Sequence, residues 1–170
     1  AIKTKLAELK RSGGKLTVSK GPVKNKCSRI GKRPDCDNKF LRSSWEANFY
    51  RWMKHSGTGV KIEYEPETFL FTPFGIKRGT LTYMPDFRLT FPNGDIALVE
   101  IKGFLSRQDA TKLRRFKKYY SAEFSLLRAM VGSEKSKAYK FFEELGVKTI
   151  YIYRDIREDY KRQGLPGWED

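Results

Sequence analysis

The sequence is poor in the residues on which several kinds of chemistry depend. It has one histidine, His55, and two cysteines, Cys27 and Cys36, among 170 residues. A single histidine argues against catalysis by histidine and against a metal site built on histidine ligands. Two cysteines make only half of a typical zinc site, and we interpret both as incidental thiols rather than as ligands or a disulfide.

Long apolar runs and phosphate-binding glycine loops are also absent. No apolar run approaches the ~20 residues that span a bilayer. No basic segment followed by an apolar stretch is typical of a secretion signal. No G-x-x-x-x-G-K-[ST] motif occurs, which argues against the use of ATP. We therefore expect an intracellular, cytoplasmic protein with no membrane partner and no nucleotide cofactor.

Positive charge is what the sequence has in excess. Thirty-five Lys and Arg face 20 Asp and Glu, a net charge of +15 that favours a polyanionic partner. Residues 1–42 hold 13 basic and 3 acidic residues, and the other 128 residues carry only a net +5. The pattern predicts a flexible basic arm over 1–42 that orders on nucleic acid or serves as a solvated tail. We expect a single folded core over 43–153 and an extension over 154–170.

One predicted β-hairpin carries the most informative residues. Its strands begin at Asp86 and end at Lys102, and they are joined by the turn Pro92-Asn93-Gly94. Pro-Asn-Gly is typical of a three-residue loop with a left-handed glycine, which pairs Phe91 with Asp95. Counting back along both strands sets Asp86 opposite Glu100 and puts the apolar side chains on the other face.

Two carboxylates side by side repel each other unless a cation lies between them, and oxygen ligands suit Mg²⁺ or Mn²⁺. Glu100 and Lys102 share one strand face because side chains alternate along a strand. A lysine there can orient water or stabilise charge on a phosphate. The alternative is an ordinary hairpin with a charged exposed face.

These residues resemble a known signature. Pro85-Asp86, a hairpin, and then Glu100-Ile101-Lys102 resemble the PD-(D/E)XK nuclease superfamily. The longer stretches 83–87 and 99–103 are similar to the small phage-type endonucleases that resolve four-way DNA junctions, which fits a phage-encoded protein acting in its host cell. The resemblance covers about residues 43–153. It implies that Asp86 and Glu100 bind the metals and that Lys102 assists catalysis, and we include Ile101 among the predicted metal ligands.

A helix is predicted from Ser43 to about His55, with Trp45, Phe49, Trp52 and Met53 along its buried side. Ser43 and Glu46 fit a capping box, in which the glutamate bonds to the backbone of its own helix. The resemblance implies instead that Glu46 is a further metal-site carboxylate and a catalytic residue. Both roles stay open. Glu63, Glu65 and Glu67, which alternate along a predicted strand edge, are weaker candidates for this further metal-site carboxylate than Glu46.

The remaining pattern predicts an α/β fold with a mixed central β-sheet flanked by helices, in the order αβββαβ implied by the resemblance. The other predicted strands cover 60–64, 68–71, 80–83, 124–131 and 147–153, and the other predicted helices run from a Ser106 cap to Tyr120 and from Glu134 to Leu145. The last strand–helix–strand unit implies a parallel crossover.

The helix predicted from Ser106 to Tyr120 carries five basic residues between Lys112 and Lys118 with no acid among them. Like charges at i,i+3 and i,i+4 cost stability, and phosphate would relieve that cost, so we predict DNA contacts there. A solvated helix face is the alternative. The basic pair in the 73–79 loop is predicted to contact DNA as well. The predicted DNA-binding residues are Lys77, Arg78, Lys112, Arg114, Arg115, Lys117 and Lys118.

Together these features predict a Mg²⁺- or Mn²⁺-dependent DNA endonuclease. The resemblance implies a homodimer that cuts branched DNA, chiefly four-way junctions. One alternative is a site-specific duplex endonuclease of the restriction, homing or repair type. Another is a basic nucleic-acid-binding protein without catalytic activity.

Overall fold

The structure, a computed structural model, describes residues 29–170. Cys27 and residues 1–28 of the predicted arm lie outside the described residues. The strands are β1 (Gly31–Arg33), β2 (Lys39–Leu41), β3 (Lys61–Tyr64), β4 (Phe69–Leu70), β5 (Thr82–Tyr83), β6 (Phe87–Thr90), β7 (Ile96–Lys102), β8 (Leu127–Val131) and β9 (Thr149–Ile152). The α-helices are α1 (Ser44–Ser56), α2 (Arg107–Tyr119), α3 (Ser121–Phe124), α4 (Lys137–Leu145) and α5 (Tyr153–Arg162).

A five-stranded sheet in the order β3-β6-β7-β8-β9 forms the centre of the fold. The β3–β6 and β6–β7 pairs are antiparallel, whereas β7–β8 and β8–β9 are parallel. Helices cover both faces, so the predicted mixed sheet flanked by helices is confirmed at this level. The parallel crossover through α4 is confirmed as well.

Two apolar cores lie on opposite faces of this sheet. One contains Phe87, Leu89 and Val99 packed against α1, with Phe91 and Ile101 at its margin. The other contains Leu98 packed against α2 and α4. Side chains of β7 alternate between the two cores. Glu100 and Lys102 therefore lie on the α2 side, as their spacing from Leu98 requires.

Helix α1 begins and ends within one residue of its prediction. The Ser43 side chain accepts a hydrogen bond from the Glu46 N–H, which fixes the start. Phe49 and Met53 are buried, and Trp45 stacks on Tyr153 with ring centroids 4.3 Å apart. This stripe attaches α1 to both the sheet and α5.

The described part of the predicted arm is folded, and the prediction of flexibility is wrong for residues 31–41. Strands β1 and β2 pair as a hairpin that packs on α1 through the buried Cys36 and Leu41. Burial raises the pKa of the Cys36 thiol to about 11, in keeping with an inert thiol.

A group of opposite charges built on two buried arginines, here called the tail cluster, ties this hairpin to the end of the chain. It consists of Arg33, Asp35, Arg51 and Glu169. Glu169 accepts from Arg33 Nε at 2.8 Å and from Arg51 Nη2 at 2.9 Å, and Asp35 accepts from Arg51 Nε at 2.5 Å. The cluster holds residues more than 100 positions apart in one place.

Several predicted element bounds are wrong. The predicted strand at 124–131 starts only at Leu127, because Phe124 ends α3. Helix α4 is capped by Ser136, three residues later than predicted. Strands β4 and β5 are two residues each.

The predicted extension over 154–170 contains α5. It buries Ile156 and Tyr160, and Trp168 packs on the Tyr160 ring. Strand β9 therefore ends at Ile152 rather than at Tyr153. Within residues 29–170, no helix has the length and hydropathy needed to cross a membrane.

Candidate functional site

The β6–β7 hairpin has the predicted register. Phe91 N–H donates to Asp95 O at 2.9 Å, and Phe87 pairs with Val99, so the next residues outward, Asp86 and Glu100, are opposite each other. Gly94 closes the turn at φ 88°, in the left-handed region that glycine adopts without strain. The turn chemistry was sufficient to place the two carboxylates together.

Asp86 lies directly before β6 and is held by two hydrogen bonds. Its Oδ2 accepts from the Ile101 N–H at 2.6 Å, and its main-chain oxygen accepts from the Glu65 N–H at 2.8 Å. Burial, and after it the negative charge of Glu100, raise the pKa of the Asp86 carboxyl well above its usual value. The ionised form of Asp86 is therefore disfavoured at this position, and a cation bound beside it would stabilise that form.

Glu100 is buried and both of its oxygens have donors. Tyr83 Oη donates to Oε2 at 2.9 Å, and Lys102 Nζ lies 2.9 Å from Oε1. Tyr83 is fully buried, and burial together with the Glu100 charge raises its pKa well above the usual value, so it stays a donor. Strand β5, which carries Tyr83, thus fixes the orientation of Glu100.

Lys102 bridges two carboxylates from different elements. Its Nζ lies 3.2 Å from Asp109 Oδ1, in addition to the contact with Glu100. Burial alone would lower the pKa of Lys102, but the charges of Glu100 and Asp86 outweigh burial and raise it. Asp109 also accepts from the Ser106 N–H at 2.9 Å in the capping box of α2. The first turn of α2 therefore positions the ammonium. We call Asp86, Glu100, Lys102 and Asp109 the site cluster.

Glu46 lies beside this cluster but bonds elsewhere. Its carboxylate accepts from the Arg42 N–H at 2.9 Å, the Ser43 hydroxyl at 3.1 Å and the Tyr64 hydroxyl at 2.7 Å. Its charge still contributes, after that of Glu100, to the raised pKa of Asp86. The structure thus gives Glu46 its capping role, with Arg42 N–H in place of the predicted Ser43 N–H. A role in metal binding stays a prediction.

The donor set fits a hard divalent cation. Mg²⁺ is typically held by one or two carboxylates and keeps several waters or phosphate oxygens, so Asp86 and Glu100 suffice as protein side-chain ligands. Among residues 29–170, no three His, Cys, Asp or Glu side chains are grouped to share one ion. The repulsion that raises the Asp86 pKa is what a cation between the carboxylates would relieve. Ile101 meets Asp86 through its N–H, and its predicted place among the ligands stays a prediction.

The predicted DNA-binding residues on α2 divide into two groups. Arg115 donates to the main-chain oxygen of Thr80, and Lys117 Nζ donates to Leu145 O at 2.6 Å, so both join α2 to its neighbours. Arg114 and Lys118 lie over aromatic rings and are exposed, and Lys112 is half-buried. Arg115 and Lys117 thus hold α2 against neighbouring segments, a role that the sequence pattern did not indicate.

Lys77 and Arg78 are exposed in the loop between β4 and β5. The segment that follows them, residues 79–82, forms one wall of a groove of about 540 Å³ whose other wall is α2, and neither Lys77 nor Arg78 lines that groove. Arg107, Lys112 and Arg115 line the α2 wall. Of the predicted DNA-binding residues, the structure therefore brings Lys112 and Arg115 to this groove, whereas Lys77 and Arg78 precede its loop wall in the sequence.

Sequence reasoning missed two members of the site, Tyr83 and Asp109. Tyr83 precedes Asp86 by three residues and reads as an ordinary strand residue. Asp109 follows Ser106 by three residues, which is the spacing of a capping box, and this signal was available. Its contact with Lys102 depends on the placement of α2 against β7, which no local pattern specifies.

No protein-family model matches this chain, and neither a curated protein nor a solved structure matches it significantly.

Proposed function

We propose that this chain is a metal-dependent endonuclease that hydrolyses phosphodiester bonds in DNA. The observation that carries the proposal is the meeting of Asp86 and Glu100 at one end of a hairpin, with the Lys102 ammonium 2.9 Å from Glu100. A protein that only binds DNA gains nothing by directing two carboxylates at phosphates, because like charges repel.

Each residue of the site cluster has a defined part in the proposed reaction. Asp86 and Glu100 would hold the ion, and Tyr83 fixes the Glu100 rotamer through its 2.9 Å hydrogen bond. Lys102, kept charged by its carboxylate neighbours, neutralises charge on the scissile phosphate or orients the attacking water. Bound Mg²⁺ or Mn²⁺ would supply a water of lowered pKa and stabilise the leaving oxygen.

The charge of the surrounding surface supports DNA as the substrate. The chain carries +15, and the groove between α2 and the 77–80 loop presents basic side chains next to the site. Phosphate contacts of this kind make binding strongly dependent on salt concentration.

Branched DNA is the finer proposal, and it rests on the resemblance of residues 83–87 and 99–103 to junction-resolving endonucleases. A homodimer with two-fold symmetry would place two sites on two strands of a four-way junction. A site-specific duplex endonuclease would use the same site cluster on a different DNA structure.

The deciding experiment compares cleavage of a radiolabelled four-way junction of unrelated sequence with cleavage of a length-matched linear duplex, in Mg²⁺ and in EDTA. We expect paired cuts near the junction centre that require the metal. Glu100→Gln should slow cleavage by at least about 100-fold, since it removes a charge that acts at the reacting centre.

Glu143→Gln is the matched control, because Glu143 is an exposed glutamate on α4 and does not belong to the site cluster. It should cut as wild type does. Metal-dependent cutting of the duplex alone would keep the site and replace junction resolution by sequence-directed cleavage. Tight binding without cutting by any variant would identify a basic binding protein and refute the proposal.

A further inference from the structure

A second basic groove lies on the other side of α2, between α2 and α4. It encloses about 600 Å³ and is lined by Arg107, Arg114, Lys137 and Lys140, with Glu144 as its one acidic side chain. The four basic residues are exposed. Lys137 and Lys140 belong to α4, which the sequence pattern did not connect with DNA.

The four cations of this groove lack partners among the described residues. None of them forms an ion pair within residues 29–170, and Arg114 instead lies over the Phe141 ring at 5.2 Å. On α5 the opposite holds, since Arg154, Arg157 and Arg162 each pair with an aspartate. Other described cations, among them Lys77, Lys112 and Lys148, also form no ion pair, so these four are set apart by lining one groove together.

This arrangement costs folding free energy in the absence of an anion. Lys137 and Lys140 are three residues apart on one helix, where like charges destabilise by a few tenths of a kcal/mol. Arg107 and Lys137 are each the first residue of a helix, where the backbone dipole disfavours a cation. Helices α2 and α4 both carry unfavourably placed cations, and both face the same groove. This arrangement indicates a ligand with several negative charges.

We propose that the groove between α2 and α4 binds the phosphate backbone of DNA, as a second backbone contact apart from the groove beside the 77–80 loop. The proposal rests on the nuclease function proposed above. Leu105 and Ser106 line the groove and follow Lys102 by three and four residues, so a strand lying in it passes the site cluster. Helix α2 then has DNA backbone on both sides, and its Asp109 contacts Lys102 between them.

The test measures equilibrium binding without cleavage. Anisotropy of a fluorescein-labelled duplex of about 30 base pairs is followed in EDTA from about 50 to 300 mM KCl, where each phosphate contact adds about 0.9 to the log–log salt slope. The triple variant Arg114→Ala/Lys137→Ala/Lys140→Ala, whose residues line this groove and not the one beside the 77–80 loop, should lower that slope by about 2 to 3 and weaken binding at least about tenfold near 100 mM salt.

Arg154→Ala/Lys161→Ala/Arg162→Ala on α5 is the matched control, because it removes the same charge from exposed positions. It should leave the slope within about 0.5 of wild type. Equal slopes and affinities for the two triple variants would overturn the groove proposal. A wild type that binds no DNA would instead overturn the nuclease proposal, which separates the two failures.

Co-sedimentation with phosphatidylserine vesicles tests whether the groove binds an anionic lipid surface instead of DNA. Loss of vesicle binding in the groove variant, with DNA binding unchanged, would assign the groove to a lipid surface and overturn the proposal. Thermal unfolding should show the groove variant at least as stable as wild type, since the substitutions remove mutual repulsion. A large loss of stability would mean that these cations have structural partners, and would also count against the proposal.

Discussion

Two charged clusters lie within this domain, and they are balanced differently. In the tail cluster, Arg33 and Arg51 meet Asp35 and Glu169, and each charge has an opposite partner within 3.1 Å. In the site cluster, three carboxyl groups stand with one cation, Lys102, which forms ion pairs with Glu100 and Asp109 but not with Asp86.

The difference appears in the pKa values. The guanidinium of Arg51 lowers the pKa of Asp35, and that of Arg33 lowers the pKa of Glu169. Burial and Glu100 raise the pKa of Asp86. Removing one partner from a balanced cluster leaves an uncompensated charge and costs stability, whereas removing one carboxylate from an unbalanced cluster relieves repulsion. The two clusters should therefore respond to mutation in opposite ways.

Asp86→Asn should have the largest effect, with opposite signs on activity and stability. Cleavage should fall by at least about 100-fold, because the substitution removes a charge at the reacting centre. In EDTA the free energy of unfolding should rise by on the order of 1 kcal/mol, because the repulsion from Glu100 is gone. Cleavage assays and urea denaturation measure the two effects. A variant that is both inactive and less stable would make Asp86 a structural residue like those of the tail cluster.

Arg51→Ala should show the reverse pattern, with a large loss of stability. Removing a 4 % exposed arginine leaves Asp35 and Glu169 without their shared partner, which costs about 3 kcal/mol. Arg154→Ala is the control, since Arg154 is exposed and should change stability by less than about 0.5 kcal/mol. Denaturation at pH 7 measures both. A loss below about 1 kcal/mol for Arg51→Ala would mean that the tail cluster contributes little.

Tyr83→Phe should have an intermediate effect on the site cluster alone. It leaves the buried Glu100 Oε2 without its donor, at a cost of about 1–3 kcal/mol in stability. Cleavage should fall in kcat more than it rises in KM, because Tyr83 positions Glu100 and does not contact DNA. An unchanged kcat in a folded variant would show that Lys102 alone orients Glu100.

The pH dependence of stability should be the smallest of these effects and should also differ in sign between the clusters. A lowered pKa means stability at neutral pH that is lost on acidification, so Glu169→Gln should be less stable than wild type at pH 7 and converge with it below about pH 4. A raised pKa means the opposite, so the stability gained in Asp86→Asn should shrink as pH falls through the raised value. Denaturation midpoints in EDTA from pH 7 to acid check both trends, and parallel curves for either variant would contradict them.

The hairpin was predictable because its information is local. Pro92, Asn93 and Gly94 specify the turn, and the turn specifies which residues of β6 and β7 are opposite. Helix α1 was predictable for the same reason, from a cap at Ser43 and a periodic apolar stripe.

The missed features depend on contacts between distant residues. Strands β1 and β2 contain few apolar residues, and they are held by Arg33 and by the contacts of Arg51 with Asp35 and Glu169. Helix α5 buries only Ile156 and Tyr160 amid charged residues, so its stripe was too short to stand out from an extension. In the site cluster, Asp109 was missed because its partner Lys102 is on another element.

The double role of Asp109 has a consequence for anyone who would redesign this protein. Its two oxygens serve the Ser106 cap and the Lys102 ammonium at once. Surface cations of α2 can be exchanged to alter affinity for a substrate, but the length of the segment between Lys102 and α2 is fixed by this shared carboxylate. An insertion or deletion at 103–105 would separate cap and ammonium, so diversification by loop length belongs elsewhere in the chain.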